Sequence, residues 1–346
     1  MSRVAIAAAH VLEPGNFWDK GLADLLSEAA APVVAAQPVD GIFCAATALP
    51  EHQADAAAIV ADRLALDPKI ALSFDCADVS GAAALYSAWL HVRSGACRHA
   101  LVAGAAKVSD ASEARRLSLM DSSLDAEAAR GLDFTAQAGL LAGQYCRARG
   151  RDASVFAETA AANFAAWAAQ SGRHAPTSAE LRRDLPVAPP LVRSDFAQLL
   201  DGGCALVLSD IESCKSPRLC LDAMASATDV VSVWDRKDPL SFEAVRAVLS
   251  RLPQGEHPDW LEIDAGVTIA QILCEEAIQA VHPEKSAAYS RNRRGGAQGR
   301  GRVFGSSSLY QLADIHEIAA RGETALLLAV AGLGSHVFGA RLSGLG

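Results

Sequence analysis

The chain has 346 residues, 51% of them hydrophobic, so it is long and apolar enough to bury a sizeable core in about two folding units. A net charge of −9 argues against general nucleic-acid binding and against attraction to anionic membranes. The N-terminal apolar run is too short for a secretory signal, and no stretch approaches the ~20 apolar residues of a membrane span, which favours a cytoplasmic location.

The first half of the chain alternates strand and helix signals. Strands are predicted at 4–9, 39–45, 70–74 and 100–105, and helices at 54–66 and 80–94. This order predicts a βαβαβ unit with helices on both faces of a largely buried sheet.

A similar order returns from Trp260. Strands are predicted at 260–264 and 325–330, and helices at 269–281 and 306–320. In both halves a helix is predicted to end on a glycine, Gly95 or Gly322, and to run into a buried strand. An internal duplication explains this match most economically.

Between the halves lies an inserted excursion, at about residues 110–200. It contains an Ala-rich helical stretch at 132–170 and a Pro-rich segment at 185–191. We therefore predict an N-terminal half at 1–215, which includes the excursion, and a C-terminal half at 216–346.

Eight cysteines are scattered along the chain, mostly in apolar runs. Their spacing matches no metal site, so we expect most of them to be buried thiols in a reducing compartment and expect no metal.

Four motifs in their order along the chain resemble the thiolase family, particularly the branch related to sterol-carrier thiolases. They are Ser80-Gly81 with the following helix and strand, Pro190-Leu191 followed by Asp201-Gly202-Gly203, the segment Glu262 to Thr268, and the glycine-rich run from Asn292 to Gly305. The resemblance spans nearly the whole chain. It implies a thiolase-like α/β fold, with two duplicated βαβαβ halves in an α/β/α/β/α layered core. An initiating ketoacyl synthase is the nearest competitor, but the central insertion with its Asp-Gly-Gly favours thiolase.

Asp78-Val79-Ser80-Gly81 stands where the family has its nucleophilic cysteine motif. Since a carboxylate is a poor acyl carrier, the usual cysteinyl thioester is not expected there. Three alternatives remain open. Asp78 acts as a general base, or it caps the following helix, or Cys76 enters the site, which by strand alternation requires the strand to continue that far.

The family's other catalytic positions are also changed. Asp264 and Arg302 stand at the two histidine positions, and Val330 falls near that of the second cysteine. An arginine can bind an oxyanion but is a poor proton donor. Tyr310 is a candidate acid, although a tyrosine in such a helix is more often a core residue with a tethered hydroxyl.

The glycine-rich run also carries arginines, and it is the predicted ligand loop. Ser80, Gly81, Arg294, Gly295, Gly296 and Arg300 are the candidate ligand-binding residues. Glycines let the backbone approach a pantetheine or a phosphate closely, and arginines pair with phosphates or with an acidic partner. A solvated loop without a ligand is the alternative.

The resemblance implies no tightly bound cofactor, with coenzyme A as part of the substrate. One hypothesis is an enzyme that acts on an acyl-CoA or acyl carrier protein thioester by C–C cleavage or formation without a cysteinyl intermediate. The other is an inactive subunit that supports a partner. By resemblance the chain forms a homodimer, or a heterodimer with another thiolase-like chain, through residues 70–74, and a small OB-fold protein is a further expected partner. No nucleic-acid or membrane partner is expected.

Overall fold

A computed structural model describes residues 3–45, 47, 55–112, 116, 129–215, 217–253, 258–282 and 290–345. Its centre is a ten-stranded sheet. The strands are β1 (Val4–Gly15), β2 (Gly41–Ala45), β3 (Ile70–Phe74), β4 (His99–Ala106), β7 (Asp201–Asp210), β8 (Leu219–Thr228), β9 (Trp260–Asp264), β10 (Ser290–Arg291), β11 (Thr324–Ala331) and β12 (His336–Gly344). Their order in the sheet is β10-β9-β11-β12-β8-β1-β7-β4-β2-β3. Strands β5 (Pro186–Ala188) and β6 (Leu191–Val192) form a separate hairpin.

The sheet consists of two halves with the same topology. In the first, β3, β2 and β4 are parallel, and β7 and β1 follow antiparallel to their neighbours. In the second, β10, β9 and β11 are parallel, followed by β12 and β8. The halves join where Val4–Ile6 of β1 pairs with Leu219–Leu221 of β8. The predicted duplicated α/β architecture is thus confirmed, whereas the domain limits at 215 and 216 stay a prediction.

The helices complete the layers. They are α1 (Leu22–Ala36), α2 (Ala56–Arg63), α3 (Ser80–Ser94), α4 (Phe134–Arg149), α5 (Ser154–Ser171), α6 (Ser178–Leu181), α7 (Glu243–Arg251), α8 (Thr268–Val281), α9 (Gly296–Arg300) and α10 (Ser307–Ile318). Helices α3 and α10 pack on each other and on strands of both halves, so they form the central layer. Helices α1 and α2 cover the outer face of the first half, and α7 and α8 that of the second.

The predicted elements differ from the structure in several places. Helices α1 and α7 and strands β8 and β12 were not predicted from the sequence, so the second repeat begins well before Trp260. The stretch predicted as helical at 132–170 is two helices, because Gly150 takes a left-handed conformation that ends α4. Gly95 caps α3 as predicted. Helix α10 ends at Ile318 with Ala319 as its extended C-cap, and Gly322 belongs to the following turn. The predicted excursion includes 113–115 and 117–128, which lie outside the described residues.

Candidate functional site

Asp78 lies in the central layer, where the first half meets the second. Strand β3 ends at Phe74, and a 3₁₀ turn at Ala77–Val79 leads into α3. The carboxylate of Asp78 is 5% exposed, and its Oδ2 accepts the backbone N–H of Gly332, just after β11, at 3.0 Å. The same oxygen lies 3.2 Å from Nη2 of Arg302. The N-cap interpretation of Asp78 is therefore wrong, because its carboxylate faces the other half of the molecule.

Ser80 holds the turn before α3 instead. Its hydroxyl accepts the backbone N–H of Cys76 at 2.8 Å and donates to the carbonyl oxygen of Ala77 at 2.8 Å. The N–H of Gly81 donates to the carbonyl oxygen of Gly305 at 2.6 Å, and a Cβ at Gly81 would lie 2.9 Å from that oxygen. Glycine at this position allows the starts of α3 and α10 to touch, and both residues act in packing here.

Arg302 enters the same place from the glycine-rich run. Its backbone N–H donates to the carbonyl oxygen of Gln198 at 2.7 Å, and its own carbonyl accepts the N–H of Leu200 at 2.9 Å. These bonds turn the side chain inwards, where it is 1% exposed and packs against the backbone of Gly266. A Cβ at Gly266 would overlap Nη1 of Arg302.

Asp264 completes a buried cluster at the carboxyl end of β9. Burial raises the pKa of its carboxyl to about 7, nearby Arg302 opposes this, and the charge of Asp78 adds to it. Near neutral pH, Asp264 is thus partly protonated. We refer to Asp78, Asp264 and Arg302 as the carboxylate–arginine cluster.

Several polar atoms at this cluster have no hydrogen-bond partner among the described residues. They are Oδ1 of Asp78, Oδ1 of Asp264, both Nη atoms of Arg302, and the hydroxyl of Ser308, whose backbone N–H bonds to Asp264. Nη2 of Arg302 contacts Asp78 as an ion pair, without hydrogen-bond geometry. Most buried polar atoms of proteins are paired. A concentration of donors and acceptors next to two carboxyls and one guanidinium is suited to a substrate carbonyl or hydroxyl group and to proton transfer.

Cys76 lies outside this cluster. It is half-buried and packs against an apolar group that includes Val79, Ala83 and Phe338. Burial raises the pKa of its thiol, and the charge of Asp75 raises it further, which disfavours the thiolate that a nucleophile needs. Because β3 ends at Phe74, strand alternation does not bring Cys76 to the side of Asp78.

Tyr310 is also placed elsewhere. Its hydroxyl lies 2.7 Å from the carbonyl oxygen of Leu12 and 2.9 Å from that of Gly203, so it ties α10 to β1 and β7. Burial raises the pKa of the phenol well above its ordinary value. Tyr310 is therefore a buried core side chain whose hydroxyl is tethered to backbone carbonyl groups.

The predicted ligand loop is ordered by internal contacts. Arg300 forms two hydrogen bonds to Asp314, at 3.0 and 2.8 Å, and lies over the ring of Trp167. Arg294 pairs with Glu317 at 2.7 Å. A Cβ at Gly295 would lie 2.6 Å from the carbonyl oxygen of Asn163 on α5, and one at Gly296 would lie 2.9 Å from Nε2 of Gln311. The loop is therefore not a solvated one, and its phosphate-binding role stays a prediction.

A cleft of about 840 Å³, not predicted from the sequence, lies between α5, the segment 173–200 and the end of α9. Apolar side chains, four arginines and one histidine line it: Phe164, Trp167, Phe196, Leu199 and Leu200, with Arg116, Arg173, Arg193, Arg300 and His174. The cleft ends at Gly301, next to Arg302. No member of the carboxylate–arginine cluster lines it.

The described residues contain no group of three His, Cys, Asp or Glu side chains that could hold a metal ion. Among the helices in the described part of the chain, none is long and apolar enough to cross a membrane.

The chain is similar to known proteins along nearly its whole length. It is 23% identical to an acetyl-CoA acetyltransferase of Methanocaldococcus jannaschii, over 91% of this chain and 89% of the relative. A second acetyl-CoA acetyltransferase, from Methanothermobacter thermautotrophicus, is also 23% identical, over 91% and 90%. No protein-family model matches the chain.

Solved structures share the fold. An Ltp2-ChsH2(DUF35) aldolase superposes with a TM-score of 0.81 at 16% identity, covering 99% of this chain and 98% of that one. Human mitochondrial 3-ketoacyl-CoA thiolase in complex with CoA superposes with a TM-score of 0.79 at 17% identity, covering 100% and 98%. The fold expected from the motif order is thereby confirmed.

Proposed function

Because the chain belongs to the thiolase superfamily, we propose that it cleaves or forms a C–C bond of an acyl-CoA thioester by proton transfer, without a cysteinyl intermediate. The observation that carries this proposal is the buried carboxylate–arginine cluster. By resemblance, Asp78 stands at the position of the thiolase nucleophile. A carboxylate there is suited to moving protons and unsuited to carrying an acyl group.

In the cleavage direction, the proposed substrate is a 3-hydroxyacyl thioester. Oδ2 of Asp78 is held by Gly332 and Arg302, so the unpaired Oδ1 takes the proton of the hydroxyl. The bond between Cα and Cβ breaks, the carbonyl product forms at Cβ, and the electron pair passes to the thioester as an enolate. The guanidinium of Arg302 stabilises the enolate oxygen.

Asp264 then completes the reaction. In its protonated form it donates its proton to Cα, which gives the shortened acyl thioester. One proton has passed from oxygen to carbon, no oxidant or reductant is needed, and the proton on Asp78 returns to Asp264 before the next turnover. A carboxyl with a pKa of about 7 is suited to this role, because both protonation states are populated near neutral pH.

The cleft is the proposed site for the coenzyme A part of the substrate. Arg173 and Arg193 supply positive charge for phosphates, and Phe164 and Trp167 supply apolar surface for the adenine or the pantetheine. Leu200 lines the cleft and packs against Gly301, the residue before Arg302. Since no member of the cluster lines the cleft, the proposed mechanism includes a movement of the Leu200 side chain that opens a path to Arg302.

One observation favours the second candidate function, an inactive subunit that supports a partner. Val79, Val303 and Phe304, beside members of the cluster in the chain, are at most 2% exposed, and the cluster itself is closed off from the cleft. In that case the ion pair between Asp78 and Arg302 joins the two halves and does no chemistry.

The test is incubation of the purified protein with a panel of 3-hydroxyacyl-CoA thioesters, followed by mass spectrometry of the products and of the intact protein. We expect a carbonyl product and a shortened acyl-CoA, with no covalent adduct. Asp78→Asn, Asp264→Asn and Arg302→Gln should each lower kcat by at least about a hundredfold. The controls Cys76→Ala and Tyr310→Phe should keep activity.

The pH profile gives a further readout. The acid must be protonated, so kcat should fall as the pH rises through about 7, and this limb should disappear in Asp264→Asn. A covalent acyl adduct that forms on the parent protein but not on Cys76→Ala would support a cysteinyl intermediate on Cys76 instead. Binding of the thioesters without turnover would favour the second candidate function, an inactive subunit that supports a partner.

A further inference from the structure

The excursion carries an exposed surface that is both apolar and basic. Leu140 on α4 is 52% exposed, and Leu185 and Val187, beside and within β5, are 60% and 44% exposed. Arg147, Arg182 and Arg183 are exposed as well. We call these six residues the excursion patch.

The contacts between α4 and the hairpin make the patch continuous. A Cβ at Gly139 would lie 2.7 Å from Cβ of Ala188, so α4 and the hairpin are in direct contact and their exposed residues Leu140 and Val187 lie on adjoining parts of the surface. At the other end, Arg147 and Arg182 both act electrostatically on the thiol of Cys146, which places both guanidinium groups near that residue.

The charge of the patch is opposite to that of the whole chain. Residues 130–200 contain eight arginines and six carboxylates, in a chain of net charge −9. Five of the six carboxylates have partners within the fold. Asp133 caps α4, Glu180 caps α6, Asp195 is buried against Val192 and Thr268, Asp152 accepts the backbone N–H of Ser154, and Asp184 pairs with Arg193. Arg147, Arg182 and Arg183 form no ion pair with any residue that the structure describes.

The patch adjoins the mouth of the cleft. Asp184 and Arg193, which line the cleft and pair at 2.9 Å, lie beside Arg183 and Leu185. A molecule bound on the patch would thus sit where a tethered thioester enters. Exposed apolar side chains among cations suit a folded partner with an acidic surface.

We propose that the excursion patch docks an acidic carrier protein, which inserts its acyl group into the cleft on a phosphopantetheine arm. This inference rests on the proposed function for the chemistry at the end of the cleft, but docking itself does not require turnover. Arg173 and Arg193 would face the phosphate at the base of the arm. The position beside the cleft favours a thioester carrier over an anionic membrane, which would gain nothing from that position.

The experiment measures binding of a bacterial fatty-acid-synthesis acyl carrier protein, in its acylated holo form, to the full chain by fluorescence anisotropy. We expect binding that weakens with salt, and on the order of tenfold weaker binding for Arg147→Glu combined with Arg182→Glu, and for Leu140→Ser. The matched control Arg321→Glu, at an exposed arginine outside the patch, should bind as the parent does. Affinity for free acyl-CoA should change less than about twofold in all of these variants.

Two results decide against the docking proposal. It is overturned if the carrier does not bind at low salt, or if the patch variants bind it as tightly as the parent. Vesicles of phosphatidylglycerol that bind in its place, with the same dependence on Arg147 and Arg182, would assign the patch to a membrane surface. Carrier binding without C–C cleavage would refute the proposed function and leave docking intact, whereas cleavage of acyl-CoA without carrier binding would do the reverse.

Discussion

At the scale of single residues, the carboxylate–arginine cluster buries the two carboxyl groups of Asp78 and Asp264 next to the guanidinium of Arg302. Removing a partner from a buried ion pair is costly because it leaves a charge without compensation. The two sides of this cluster are not equivalent. Asp78→Asn leaves Arg302 with Asp264 as a partner, whereas Arg302→Gln leaves two carboxyls without a cation.

We therefore predict that Arg302→Gln lowers the free energy of unfolding by about 3–5 kcal/mol and Asp78→Asn by only about 1–3 kcal/mol. Asp78→Asn should also lower the pKa of Asp264, since the charge of Asp78 helps to raise it. Urea unfolding of both variants and of their double mutant measures the costs, and NMR titration of the Asp264 carboxyl measures its pKa. Equal costs for the two variants would contradict the three-membered arrangement.

The position of each residue could be predicted from the sequence much better than its contacts. The motif order assigned Asp78, Asp264 and Arg302 to corresponding family positions, and the structure brings these three together. The motif order gave no indication that Tyr310 would reach Leu12, because that contact joins residues 298 positions apart. Nor did it show that the arginines of the glycine-rich run would be paired with Asp314, Glu317 and Glu323.

At the scale of elements, strand β9 presents a second buried carboxyl. The carboxyl of Glu262 lies two residues before Asp264, accepts the indole N–H of Trp260 at 2.7 Å and the backbone N–H of Arg293 at 2.9 Å, and has Oε2 unpaired within the described residues. Burial raises its pKa to about 8, and the hydrogen bond from Trp260 opposes the rise. The folded state therefore binds this proton more tightly than the unfolded chain does.

The sign of the pH dependence follows from that difference. Between the ordinary glutamate pKa, near ~4.3, and a pKa of about 8, the unfolded chain loses the proton first, so stability falls as the pH rises. The Glu262→Gln variant has no carboxyl at this position, so its stability should not fall with pH for this reason. We predict nearly unchanged stability at pH 4 and a gain on the order of 2–4 kcal/mol at pH 8.5, measured by urea unfolding at both values. A gain that does not depend on pH would mean that Glu262 is not protonated in the folded state.

The approach of Arg302 to Gly266 gives a test of how the elements position the cluster. A Cβ at Gly266 would overlap the guanidinium, so Gly266→Ala must displace the side chain of Arg302. We predict a loss of about 2–4 kcal/mol in stability and a loss of any C–C cleavage. The matched control is Gly143→Ala in α4, where the nearest atoms lie 3.7 Å away and alanine should stabilise by about 0.5–1 kcal/mol. Retained stability in Gly266→Ala would show that Arg302 is not confined as described.

Elements with strong patterns were predictable, and elements that depend on distant pairing were not. The bounds of β3, α3 and β9 agree with the prediction to the residue. Helix α1 was missed because Pro32 is normally a helix breaker, although Leu22, Leu25, Leu26, Ala29 and Val33 have helical spacing and are buried. Strand β8 consists mainly of small residues of weak strand propensity, and it is stabilised by pairing with β1 and β12, which no local pattern shows.

At the scale of the whole molecule, the ten-stranded sheet has two edge strands among its described strands, the two-residue β10 and the longer β3. Ala71, Leu72 and Ser73 are exposed in β3, and Leu72 retains 39% of its surface. Unpaired backbone groups and an exposed leucine on an edge strand invite pairing with a second chain. The family resemblance implies a dimer through this strand, and the structure leaves the strand accessible for it.

We predict that the protein is a dimer in solution and that Leu72→Glu converts it to a monomer. A charge at this position would be buried without a partner in the dimer, whereas in the monomer it remains in water, so monomer stability should change by less than about 0.5 kcal/mol. Sedimentation velocity at several concentrations measures the oligomeric state, and Leu185→Glu, an exposed leucine on the excursion, is the control that should stay dimeric. A parent protein that sediments as a monomer would show that the chain alone does not pair through β3, and would favour a heterodimer. A dimer that persists in Leu72→Glu would place the interface elsewhere.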